Sequence, residues 1–184
     1  VRYELTFVDS NWNMHSEMVS WDGQSANITT TLDFEPVAIF CDINNKFADA
    51  CHDESFIIKQ SGNNNLSEIK FKVITEEVGD STLLRVEHRW VGPTSVGEIP
   101  EGLTISDSRY WTIYRLDKGE SIIKGEFQYQ DNENYDANLF ENENDSIVLL
   151  YRPNGASQWQ SIDYILQSSS SFGRMTVEQL MSGD

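Results

Sequence analysis

The sequence predicts an all-β protein, two β-sandwich domains of the immunoglobulin or fibronectin kind in tandem. Three observations predict it. Apolar residues recur with a period of two over many short segments. Turn residues such as Asp22-Gly23, Gly79-Asp80, Lys118-Gly119 and Asn154-Gly155 separate most of these segments. No stretch carries the 3.6-residue period of a long amphipathic helix.

The segments follow in order. "RYELTFV" puts Tyr3, Leu5 and Phe7 on one face, and "NITTTLDF" does the same with Ile28, Thr30, Leu32 and Phe34. "PVAIFCDI" is nearly continuous in apolar residues, which predicts a strand buried on both sides. "SFIIKQ", "EIKFKVITEE", "TLLRVEHRWV", "YWTIYRL", "SIIKGEFQYQ", "DSIVLLYRP", "WQSIDYIL" and "RMTVEQL" are short and rich in β-branched and aromatic residues. The polar run "QSGNNNLS", residues 60–67, reads as a linker. It divides the chain into a small sandwich at 1–62 and a second at 67–184. The first is short for a complete sandwich and is expected to need a neighbour to cover one face.

The 184 residues suffice for one ordinary domain or two small ones, and 39% hydrophobic with 11% aromatic is a globular composition. A net charge of −17 repels phosphate backbones, so no nucleic-acid partner is expected. No apolar run approaches the ~18 residues that cross a bilayer, so no transmembrane segment is expected. Val1-Arg2-Tyr3 carries no signal peptide, and both ends read as cut. A piece of a longer protein is therefore expected. Cys41 and Cys51 are too few for a disulfide scaffold. They either bridge, if their Cα atoms come within about 7 Å, or stay buried thiols.

His15-Ser16-Glu17 and His52-Asp53-Glu54 each place carboxylates beside a histidine, but neither is the HExxH pattern that sets two histidines one helical turn apart. In "LLRVEHRWV", alternation puts Leu84, Val86, His88 and Trp90 on one face and Arg85, Glu87 and Arg89 on the other. This predicts a core histidine bonded to backbone or a neighbour, opposite a solvated charged row able to pair across strands. No G-x-S-x-G elbow, phosphate loop or dinucleotide fingerprint is present. Cys51 and His52 are adjacent, so on a strand their side chains diverge. No catalytic residue is predicted. Trp12, Trp21, Trp90, Trp111 and Trp159 either fill the core or build a sugar-binding platform.

"DNENYDANLFENENDS", residues 131–146, holds three Asp, three Glu and five Asn and no basic residue. Set against an EF-hand loop, it offers Asn132, Asn134, Asp136 and Glu143 as oxygen ligands. Ala137 stands where the sharp turn needs Gly, and strands rather than helices flank the loop. The EF-hand is excluded. These four residues remain the candidate ligands for an irregular calcium site, beside the weak metal site that His15 and Glu17 would offer on one face of a strand. Otherwise the stretch is an acidic connection, with Leu139-Phe140 tucking its middle onto the sandwich.

"LRVEHRWVGP", "GLTISDSRYWTIYRL", "DSIVLLYRPNGASQWQSIDY" and "GRMTVEQLMSGD" together resemble the C-terminal region of Bacteroidetes zinc aminopeptidases of the aminopeptidase N family. "VRYELTFVDSNW" through "DFEPVAIFCDINNKFADA" is similar to the β-sandwich that follows their catalytic domain. The family's HExxH and GxMEN motifs are absent from this chain, so no catalytic residue carries over. The resemblance implies a non-catalytic module with a structural or interaction role, in the periplasm or at the cell surface. It implies no cofactor in this chain and zinc only in an upstream catalytic domain. That domain is the expected partner, with a protein or glycan surface as the further one. The alternative is an independent cell-surface module, carbohydrate-binding or adhesive.

Overall fold

A computed structural model describes residues 2–20, 22–23, 25–47, 49–93, 97–132, 135–140, 146–168 and 172–184. Nearly every regular element is a strand, so the chain is all-β. The one helical feature among the described residues is a single 3-10 turn at Ala137–Leu139. No helix among the described residues is long and apolar enough to cross a membrane. The chain divides into two units, Val1–Asp49 and Ala50–Asp184.

The first unit is one antiparallel sheet of β1 (Arg2–Val8), β2 (Met14–Ser20) and β3 (Ala38–Cys41), in the order β2-β1-β3. Asp9 closes the β1–β2 turn by accepting the amides of Asn11 at 2.7 Å and Asn13 at 2.8 Å. Phe7, Val8 and Phe40 are buried. Buried Glu4 is satisfied by Lys46 Nζ at 2.6 Å and Asn44 at 2.7 Å.

Two expected strands differ here. Residues 27–34 pair with no strand. They are held to β2 by side chains instead, with Thr30 donating to Glu17 at 2.6 Å and Phe34 edge-on to His15. "PVAIFCDI" is not a doubly buried strand, because β3 lies at the sheet edge with only Phe40 buried and Ile39 half exposed.

The second unit holds β4 (Cys51–Ile58), β5 (Gly62–Leu66), β6 (Phe71–Glu77), β7 (Ser81–Arg89), β8 (Tyr110–Lys118), β9 (Ile122–Gln130), β10 (Leu150–Tyr151), β11 (Gln160–Ser161), β12 (Ile165–Ser168) and β13 (Phe172–Val177). They form a five-stranded sheet, β12-β13-β9-β6-β5, a three-stranded sheet, β4-β7-β8, and the small pair β10-β11. The residues read as a linker include β5. Its exposed Asn63, Asn64 and Asn65 need no apolar alternation, because an edge strand pairs on one side only. The units therefore divide at 49/50, ahead of the 62/67 division expected from polarity. Cys41 on β3 and Cys51 on β4 consequently belong to different sheets, not to one hairpin, and both are thiols.

The two larger sheets face each other. Val86 and Leu84 of β7 and Ile113 of β8 share one core with Phe71 and Val73 of β6, Ile123 and Phe127 of β9 and Val177 of β13. Phe71 and Phe127 meet edge to face at 4.8 Å between centroids. Gly125 and Gly173 admit the large neighbours. A Cβ on Gly125 would lie 2.8 Å from the Phe71 ring, and one on Gly173 would lie 2.2 Å from the ring of Tyr129. The chain's last residues complete the β8 edge, with Ile113 and Gly183 exchanging backbone hydrogen bonds of 2.7 and 2.9 Å.

The charged row of β7 is not solvated. Arg85 and Glu87 are buried on the central strand of their sheet and close a network with flanking residues. Arg85 binds Asp53 of β4 at 2.9 Å and Glu87 at 2.9 Å, and Arg89 binds the other Glu87 oxygen. Pairing of this kind is what lets such groups leave water.

The core assignment is checked by urea unfolding. Phe71→Ala should cost about 3–5 kcal/mol, and Ile165→Ala on the exposed edge strand β12 within about 0.5 kcal/mol. Equal effects would contradict the packing described.

Candidate functional site

The five-stranded sheet is wider than the three-stranded one. Beyond β8 the inner faces of β9 and β13 are met by irregular segments around residues 102–106 and 146–151, by Trp159 and by the chain's last residues. A cleft of about 560 Å³ remains there, within the range of small-molecule sites. Leu103, Ile105, Leu149, Leu150, Met175 and Val177 give it aliphatic walls, and Trp111, Phe127, Tyr129 and Trp159 aromatic ones.

Two arginines fix the two tryptophans. Arg109 precedes β8 and lies over Trp111, 4.6 Å from the ring centroid. Its fork is taken by Asp136, with Nε to Oδ1 at 2.8 Å and Nη2 to Oδ2 at 2.5 Å, while Nη2 also donates to the carbonyl of Gln128 at 2.9 Å. Arg109 and Asp136 are 3% and 2% exposed, so both charges are out of water. The second assembly repeats the chemistry. Arg152 lies 4.4 Å over Trp159 and binds Asp184 through Nε and Nη2, each at 2.8 Å. Asp184 also accepts from Thr112 at 2.8 Å.

His88 lies behind this wall, fully buried, stacked on Trp111 at 4.9 Å and tilted against Trp90 at 4.1 Å. Its Nε2 is 3.5 Å from Arg109, and its Nδ1 has no hydrogen-bond partner among the described residues. Burial lowers its pKa from 6.5 to about 3, and the positive charges of Arg109 and Lys70 push the same way. His88 is a neutral core residue, as alternation predicts. Burial likewise raises the phenol of Tyr110 in the cleft wall.

The residues singled out in the acidic stretch are not brought together as ligands among those described. Asp136 turns inward, and its two oxygens accept from Arg109 and from the amide of Gln130 at 2.9 Å. Asn132 caps a turn through its carbonyl, which accepts from Tyr135 at 3.0 Å and Ala137 at 3.2 Å. Asn134 and Glu143 lie outside the described residues. Phe140 sits by Tyr129, with centroids 6.2 Å apart, and Leu139 lines the cleft, so the middle of the stretch does tuck onto the sandwich.

His15 and Glu17 share a face of β2 at 3.3 Å. No group of three or more His, Cys, Asp and Glu among the described residues is placed to hold a metal ion. Of the tryptophans, Trp111 and Trp159 wall the cleft, Trp90 is partly exposed beside Tyr135, and Trp21 lies outside the described residues. Sequence reasoning missed Arg109, Arg152 and Asp184. Each pairs with a residue 27 or 32 positions away, and no local pattern marks such a partner.

Compared with known protein families, curated proteins and solved structures, the chain matches none.

The state of His88 sets a pH dependence. Between pH 6.5 and about 3 the unfolded chain binds this proton and the folded chain does not, so stability falls as pH drops through that window. From pH 7 to pH 5 wild type should lose about 2 kcal/mol more than His88→Phe in urea unfolding. Equal losses would show that His88 is not held neutral.

Proposed function

We propose that this chain is a non-catalytic interaction module of a larger, exported zinc aminopeptidase-like protein. One structural observation carries the non-catalytic half. Among the described residues, buried Asp53, Arg85 and Glu87 are closed on one another, with Arg89 on Glu87, Arg109 is closed on Asp136, and His88 is neutral among tryptophans. A general base or nucleophile needs a proton-transfer partner and access to substrate, and these groups have given both up to packing. The zinc aminopeptidase half rests on the phrase-level resemblance of residues 84–184 and of the first unit. In this reading the zinc belongs to a catalytic domain of the same polypeptide, which is also the module's partner. The setting is the periplasm or the cell surface.

The alternative, an independent binding module, is favoured by the cleft. A glycan platform is less well supported, since Trp111 and Trp159 stand in a largely aliphatic cleft and not as a row on one sheet.

Peptidase and metal assays on the purified chain test the proposal. Aminoacyl-p-nitroanilide reporters should stay uncleaved with zinc added, and equilibrium dialysis should find no stoichiometric zinc. Turnover that co-purifies with the chain would overturn it.

A further inference from the structure

A cleft of about 560 Å³ walled mainly by aliphatic and aromatic side chains has the size of a small-molecule site. Covering its apolar walls with an apolar molecule releases the water over them, which favours binding. Three further observations limit the occupant.

The charged groups in the wall are already engaged. Asp136 holds Arg109, and Asp184 is held by Arg152 and Thr112. A charged head group would enter without a counter-charge, which is costly in an apolar surrounding. The chain carries a net charge of −17, which repels anions from its surface. Finally, Trp111 and Trp159 are clamped by Arg109 and Arg152, so the aromatic walls are fixed before anything binds.

We propose that the cleft between β8, β9 and β13 binds an uncharged apolar molecule, one with an aliphatic or aromatic body and no carboxylate or phosphate head. Apolar burial supplies the affinity, and among the described lining residues the one cation, Arg109, is already paired, which disfavours fatty acids and phospholipids as ligands. The site is independent of the accessory-module reading. An accessory module can lack it, and a binding module of any parentage can have it.

The neutral fluorophore N-phenyl-1-naphthylamine tests it on the whole chain, with dodecanol and dodecanoate as competitors below their aggregation concentrations at pH 8. The expected result is a saturable one-to-one rise in fluorescence, displaced by dodecanol at least about ten-fold better than by dodecanoate. Ile105→Trp, which fills the cleft, and Leu150→Arg, which puts a charge in its wall, should each weaken the probe about ten-fold or more with native circular dichroism. If one variant fails to fold, the other is read, and the wild-type competition stands without either. No saturable signal from wild type would overturn the site, as would unchanged binding in the folded variants. Equal competition by dodecanoate would overturn the assignment to uncharged ligands.

Discussion

The second unit is organised around one buried ion pair. Arg109 and Asp136 are separated by 27 residues and are both almost wholly out of water. Desolvating two charges costs several kcal/mol each, and only good geometry with every lone pair and proton used repays it. Here the fork is bidentate, a carbonyl takes a further guanidinium proton, and a backbone amide takes a carboxylate oxygen. The pair joins the start of β8 to the end of β9 across the open flank of the sandwich. It also accounts for the position of residues 135–140. Asp136 draws residues 135–140 onto the sheets, and the 3-10 turn at Ala137–Leu139 follows from that anchor.

The cleft and the pair have one origin. Three strands cannot cover five, so irregular segments must finish the sandwich. Such segments bring backbone and charge into an apolar interior, and that charge has to be matched in place. Arg109–Asp136 and Arg152–Asp184 do this at two points, each with a guanidinium over a tryptophan ring. The space left between them is mainly apolar, because aliphatic and aromatic side chains supply most of its walls and the charged groups there, Arg109, Asp136 and Asp184, are paired. The proposed roles as an interaction module and as a holder of neutral apolar molecules both grow from this incomplete cover.

Much of the second unit was legible in sequence. The alternation Leu84–Val86–His88 places a histidine in the core, and the structure puts it there neutral and stacked on Trp111. Alternation failed where a strand lies at an edge. The Asn run of β5 read as a linker because edge pairing uses backbone alone, and the apolar run of β3 read as doubly buried though only Phe40 is covered. It failed again at Arg85 and Glu87, which looked solvated because alternation does not record how deeply the row is buried, with Arg85 closed on Asp53 across the strand and on Glu87 two residues along. The candidate site was almost invisible. Its walls come from several strands and from irregular segments far apart in sequence, and its ion pairs obey no local spacing.

The central claim is that Arg109 and Asp136 act as one unit, and a double-mutant cycle of Arg109→Leu and Asp136→Ala in urea unfolding measures it. Each single change should cost about 3–5 kcal/mol, because it strands a buried charge. The double variant should cost well below the sum of the two, with a coupling of about 2 kcal/mol or more. Additive costs, or single losses within about 0.5 kcal/mol, would contradict the account.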